Sequence, residues 1–248
     1  GIGWHVQYHL PILAGFETDF PGQDRRLAAA RRMLETAAAS AAPHVVHHHA
    51  VTEELAAQYA RLTRGPVGTL AYPVQVPERG GRPGGGPLPV ACLGDIRPEK
   101  FSAEVLHGVV SMAADPRLVE GVRFAVQTNA GYPPASRRPE HLAVTAALAA
   151  VTRAAAAGAA VELLPGPLAA TTYEHELAAA DVVLLAYDQA RYRSRCSSVE
   201  LEALAGGSIP IVTGGGWMAR QIAAAVTAHA AAIFRGARTV ATKRVVRP

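Results

Sequence analysis

Along the 248-residue chain, short unbroken apolar runs alternate with longer stretches in which alanine and leucine recur among charged positions. The runs PLPVACLG (87–94), VRFAVQT (122–128), AAVELLP (159–165), DVVLLAY (181–187) and SIPIVTG (208–214) are rich in Val, Ile or Leu, and each is closed by a turn residue. Runs that lack a polar side at every second position predict strands buried on both faces. Between them, residues 98–114, 140–157, about 171–180, about 198–206 and 217–230 read as helices. Strand and helix alternating in this way predict an α/β fold with a parallel, doubly wound sheet. Ligands of such sheets bind beyond the carboxyl ends of the strands, so the loops after residues 94, 128, 165, 187 and 213 are expected to converge on one crevice.

Upstream, RRLAAARRMLETAAAS reads as a helix and HVVHHHAV as a strand. TEELAAQYARL reads as a helix capped by Thr52 with Glu53 and Glu54 in its first turn, and VGTLAYPV as a last strand. These are too few elements for a complete Rossmann-like domain, so residues 1–72 are expected to be the back part of one. PVQVPERGGRPGGGP (73–87) is too rich in Gly and Pro to hold regular structure and reads as a linker. Residues 88–235 then form the second, larger Rossmann-like unit, and 236–248 a tail.

Composition narrows the partners. Half of the residues are hydrophobic, enough for one large or two modest α/β domains with a sizeable core. A formal charge of +4 and a pI of about 9.3 suit a phosphorylated small molecule. An aromatic fraction of 6% and the lack of any long Lys/Arg run or stacking motif argue against nucleic acid. The two cysteines, Cys92 and Cys196, are far apart and make no metal pattern, so a reducing compartment, the cytoplasm, is expected. No run is long and apolar enough for a transmembrane segment, and no signal peptide is visible.

The chemistry gathers at two turns. GDIRPEK places Arg97 and Lys100 three residues apart where the first strand of the larger unit gives way to a helix. RYRSRCSSVELEALAGG carries Arg191, Arg193 and Arg195 into a Ser197-Ser198 helix start. A helix N-terminus is already positive, so added cations there do little for folding and much for holding an anion such as a phosphate. Ordinary solvated charge is the alternative for each turn taken singly. Glu202, inside the same helix, is placed either to accept hydrogen bonds from the vicinal hydroxyls of a sugar or to pair with the dipole or an arginine. TGGGWM gives Gly214 and Gly215 either to close backbone approach by a ligand or to a flexible turn.

GDIRPEK, PGPLAATTYEHELAAADVVLLAYD and YRSRCSSVELEALAGGSIPIVT, in that order and spacing, resemble the donor-binding half of GT-B glycosyltransferases. The resemblance is to the retaining enzymes of glycosyltransferase family 4 in particular, and covers roughly residues 45–220. It implies that Arg97 and Lys100 clamp a donor diphosphate, that Ser197 and Ser198 give it backbone amides, and that Glu202 holds the nucleotide ribose. Pro167 and Leu168 would lie against the base, with Arg195, Gly214 and Gly215 as further donor contacts. The implied activity is sugar transfer from a nucleoside-diphosphate sugar to an unidentified acceptor (a glycan, lipid or small molecule), with retention, no metal and no other cofactor. The absence of an Asp-x-Asp motif agrees with metal independence. Residues 1–72 would be part of the acceptor-side domain, truncated at the N-terminus.

The sequence departs from the family where a second glutamate, eight positions before Glu202, is replaced by Ser194, and where the glycine beside the phosphate-binding serine is replaced by Ser198. No catalytic residue is assigned. His5 and His9 are candidates, by position, for a histidine near the sugar. A nucleotide-sugar-binding or scaffold protein without a complete acceptor domain is the alternative from another class, and an epimerase of the same fold is disfavoured by Ser194. HVVHHH brings His44, His47, His48 and His49 close together, but strand alternation turns His47 and His49 away from His48, a poor start for a metal site. Cys196, set among arginines, is a candidate for a lowered pKa and reactivity, but nothing nearby in the sequence resembles a base for covalent catalysis.

Overall fold

A computed structural model describes residues 2–10, 23–63, 65–74, 85–118 and 120–229. The linker reading (73–87) falls mostly, and the tail (236–248) wholly, outside the described residues.

The five runs of the larger unit form β4 (Leu88–Cys92), β5 (Val122–Gln127), β6 (Val161–Leu164), β7 (Val182–Leu185) and β8 (Ile209–Val212). All pair in parallel, in the order β6-β5-β4-β7-β8. The expected doubly wound sheet is therefore observed. Its helices are α3 (Ser102–Ala113), α4 (Pro139–Ala156), α5 (Ala170–Ala179), α6 (Ser198–Ala205) and α7 (217–229).

Continuous apolar runs are required in β4, β5, β6 and β7 because each feeds two cores, whereas β8, expected to be buried on both faces, ends the sheet with Ile209 and Ile211 exposed. On β4, Val90 joins Leu106, Val109, Val144 and Val151 of α3 and α4, while Ala91 faces Leu177, Ala203 and Met218 of α5, α6 and α7. On β5, Phe124 and Val126 enter the first core and Ala125 packs against the second. On β7, the parity puts Val183 and Leu185 into the second. Alternation along the strand thus becomes a three-layer sandwich. Phe124 is 1% exposed, and its truncation to alanine is worth about 3–5 kcal/mol.

Upstream, β1 (Gly3–Tyr8), β2 (Val45–Ala50) and β3 (Val67–Thr69) pair in parallel in that order, with α1 (Gln23–Ser40) and α2 (Glu53–Ala60) between them. Thr52 caps α2 as expected, its Oγ1 accepting from Leu55 N at 3.2 Å. The core is small, consisting of Ala50, Val51, Leu55 and Ala56 with Tyr8, Val67, Tyr72 and Cys196 packed against it. β1 is an addition to the sequence reading, which identified no strand there. At the sheet edge among the described residues, it leaves Trp4 and Val6 exposed.

Candidate donor site at the sheet crevice

β4 and β7 are neighbours at the centre of the larger sheet, with β5 on the far side of β4 and β8 on the far side of β7. The crevice of a doubly wound sheet opens at such a reversal. The turns that follow β4 and β7 are the two basic turns, so topology alone brings them face to face.

The first turn opens at Gly94, with φ +91°, where a Cβ would stand 2.8 Å from Lys100 Nζ. A helix was expected from residue 98 onward. Instead a 3₁₀ turn (Pro98–Lys100) is separated from α3 by Phe101, which adopts a left-handed φ of 46°. That conformation costs a non-glycine residue on the order of 1–2 kcal/mol. The turn is locked by Ser102, whose Oγ accepts from Arg97 N at 3.0 Å and donates to Arg97 O at 2.8 Å.

Both cations are thereby aimed. Arg97 Nη1 lies 3.4 Å from Glu99 Oε1, while its buried Nε has no hydrogen-bond partner. The Lys100 ammonium lies 5.4 Å from the centroid of the Tyr187 ring. Burial, and then the nearby Arg97 charge, lower its pKa to about 8, against the opposing pull of Asp95 and Glu99.

In the second turn, Tyr192 N donates to Asp188 O at 2.9 Å, and the Arg195 guanidinium lies 4.5 Å over the Tyr192 ring. Ser197 caps α6, its Oγ accepting from Glu200 N at 3.5 Å. Arg97, Lys100, Arg195, Ser197 and Ser198 line one cavity of about 350 Å³, joined from the first sheet by His9 and Tyr72. Of the two candidate histidines, His9 stands at this cavity, edge-on to Tyr72 at 5.5 Å. His5 instead stacks on His47 at 4.8 Å and His49 at 5.3 Å.

Glu202, Pro167, Leu168, Gly214 and Gly215 do not line that cavity. Glu202, deeper in α6, accepts a 2.6 Å hydrogen bond from the Tyr173 hydroxyl. Leu168, after Pro167 and ahead of α5, packs against the core that contains Leu177 and Tyr187, as does Tyr173. Gly215 (φ +80°) leaves no room for a Cβ beside the Gln189 side chain, so the glycine turn backs the second basic turn.

Cys196 departs from expectation. Burial pushes its thiol up to about 11, because it packs against both the first-sheet core and the larger one, so it is not a reactive thiolate. Among the described residues, no group of three or more His, Cys, Asp or Glu side chains is arranged to hold a metal ion. No described helix is long and apolar enough to cross a membrane.

Sequence reasoning missed Tyr72, Tyr187, Tyr192 and Glu200. The Arg-Tyr alternation in RYR was a signal for ring-stacked arginine. Glu200 is fully buried and neither of its carboxylate oxygens has a hydrogen-bond partner. Glu200 and Glu202 are two apart, so the helix turns them in different directions, and no periodicity in so short a segment says which points inward.

No protein-family model matches the sequence, and no curated protein matches it. Solved structures do. A UDP-forming α,α-trehalose-phosphate synthase from Burkholderia xenovorans superposes with a TM-score of 0.55 at 11% identity, over 89% of this chain and 55% of that one. The fold is of the GT-B type. A UDP-forming α,α-trehalose-phosphate synthase from Burkholderia vietnamiensis gives 0.54 at 13% identity, over 86% of this chain and 52% of that chain. A trehalose-6-phosphate structure from E. coli bound with UDP-2-fluoro glucose gives 0.55 at 12% identity, over 86% and 53%. The chain thus spans about half the length of these GT-B glycosyltransferases.

Proposed function

We propose that this chain binds the nucleoside-diphosphate sugar donor of a glycosyl transfer, with Arg97, Lys100, Arg195 and the first amides of α6 holding the diphosphate. The observation that carries this reading is the convergence of three cations and a helix N-terminus on one cavity. A diphosphate would supply acceptors and negative charge beyond those of Glu99 and Asp95. As the glycosidic bond breaks, negative charge grows on the departing diphosphate, and fixed cations and amides stabilise it without reorganising. Three protein cations do the work that a divalent ion does elsewhere, so transfer is expected to be metal-independent.

Glu202 is the proposed ribose acceptor, and the Pro167-Leu168 segment the proposed base contact. His9 and Tyr72 bring the first sheet to the same cavity, which supports residues 1–72 as part of an acceptor-side domain and residues 88–235 as the donor domain. Retention and family 4 membership belong to the same proposal, and the sequence resemblance supports them. A uridine nucleotide is the first probe, given the UDP sugar carried by the E. coli relative.

Titration calorimetry of the full chain with UDP, GDP and uridine, followed by mass-spectrometric detection of transferred or hydrolysed sugar, tests the reading. Diphosphate-dependent binding with transfer supports an enzyme. Binding without transfer supports a nucleotide-sugar-binding protein or scaffold. No preference for the diphosphates over uridine overturns both.

A further inference from the structure

The second basic turn follows β7, yet much of its conformation is imposed from outside. Thr52 is 2% exposed, and its Oγ1 donates to Ser194 O at 2.7 Å across 142 residues of sequence. The same oxygen accepts from Leu55 N, so one hydroxyl both caps α2 and holds the turn. One position earlier, Arg220 of α7 donates to Arg193 O at 2.8 Å. The same guanidinium donates to Gly215 O at 3.0 Å and to Glu54 Oε1 of α2 at 2.5 Å. Two positions after Ser194, Cys196 is wedged between the two cores. Residues 193, 194 and 196 are each gripped, and Arg195 between them lines the cavity.

We propose that Thr52, Glu54 and Arg220 are positioning residues for the anion-binding turn. Through them α2 of the first sheet and α7 of the larger unit fix the 193–196 backbone, so that Arg195 and the start of α6 meet the ligand. The identity of that ligand as a diphosphate rests on the function proposed above, whereas the grip does not. Because Arg220 and Glu54 are partly exposed, with 42% and 32% of their side chains accessible, their attraction contributes little by itself. What Arg220 supplies is geometry, tying two carbonyls from separate segments to one carboxylate. Thr52 supplies a buried bond, and its removal leaves Ser194 O unpaired away from water. The first sheet is therefore more than a facing wall of the cavity, because donor affinity depends on it at residues that line no part of the site.

The test compares wild type with Thr52→Ser, Thr52→Val, Arg220→Met and Glu54→Gln in the full chain. Amide hydrogen exchange without ligand is read over residues 191–199, and affinity is measured for UDP and for uridine. Thr52→Val and Arg220→Met are expected to speed exchange in the turn by about tenfold, with Glu54→Gln smaller, while exchange in β4 and β5 stays unchanged. Both should weaken UDP by roughly tenfold and leave uridine alone, since the proposed base contact is the Pro167-Leu168 segment and the proposed ribose contact, Glu202, is anchored in the middle of α6 by Tyr173 and not by the turn. Thr52→Ser keeps the hydroxyl and should behave as wild type. Unchanged exchange over the turn in both Thr52→Val and Arg220→Met overturns the proposal. So does an equal loss of UDP and uridine, which marks a merely structural role. A wild-type chain that shows no preference for UDP over uridine sinks the donor reading, and the exchange data alone then decide the grip.

Discussion

The Tyr173 hydroxyl donates to Glu202 Oε2 at 2.6 Å, joining the first turn of α5 to the middle of α6. Tyr173 is held neutral by burial and by that bond, both of which push its pKa up. With one oxygen tethered, the carboxylate has a fixed direction, which would suit the ribose contact proposed for it. Glu202→Ala should erase most of the preference for UDP over dUDP, and Tyr173→Phe should reduce it part-way. Calorimetry with the two nucleotides checks this. Equal losses for both would assign Glu202 a structural role.

Affinity for the diphosphate should depend on pH through Lys100. Its pKa in the folded chain is about 8, and an anion binds the charged form, so UDP affinity is expected to fall as pH rises through 8 and to be accompanied by proton uptake above it. Lys100→Met should flatten that profile. Arg97→Ala and Lys100→Ala should each weaken UDP by about 1.5–3 kcal/mol, the scale of hydrogen bonds to charged groups. Titrations in buffers of differing ionisation enthalpy measure both the affinity and the protons.

Much of this was legible in the sequence, for a physical reason. Strands such as DVVLLAY, apolar on both sides, have few alternatives to the middle of a parallel sheet, and the order of elements then fixes where the crevice opens. Arg97, Lys100, Arg195 and Ser197 could be assigned to the crevice side because they lie in the segments that join β4 and β7 to their next helices. Glu202 could be placed on its helix, but its tyrosine partner lies 29 residues away and leaves no local pattern. β1 was unreadable for the opposite reason: an edge strand exposed along most of its length has no buried side to write into the alternation. The break at Phe101 goes with Ser102 folding back onto Arg97, a local side-chain-to-backbone choice that competes with helix propensity.

Glu200 should make stability depend on pH. Burial raises its pKa from 4.5 to about 7, so the folded chain binds this proton more tightly than the unfolded chain. The resulting stabilisation is complete below pH 4.5 and lost as pH rises through 7. Glu200→Gln, neutral throughout, should remove this dependence and raise stability at pH 8 by on the order of 2 kcal/mol. Denaturant unfolding of both proteins at pH 5 and pH 8 gives the comparison. A variant that is less stable than wild type at pH 8 would mean that the carboxylate has an ionic partner.

The exposed edge strand β1, with Trp4 and Val6 accessible to solvent, should make the chain self-associate through strand pairing. Val6→Lys is expected to shift sedimentation toward the monomer without altering UDP affinity. If Val6→Lys sediments like wild type, the contact lies elsewhere.

The bond between Thr52 and Ser194 also has a direction in time. A ribosome makes Thr52 first and must add 142 residues before the carbonyl it binds exists, a wait of roughly 7–28 seconds at ordinary elongation rates. Through that interval α2 can cap itself, because Leu55 is only three residues on, but its other partner is still to be translated. The small first-sheet core must therefore stand with one wall open, in a chain whose larger sheet is incomplete until β8 is made. Chaperone capture of the nascent chain should be strongest before residue 194 emerges and fall once the basic turn has docked. The first sheet, translated early, is thus closed only by a segment of the second unit made much later.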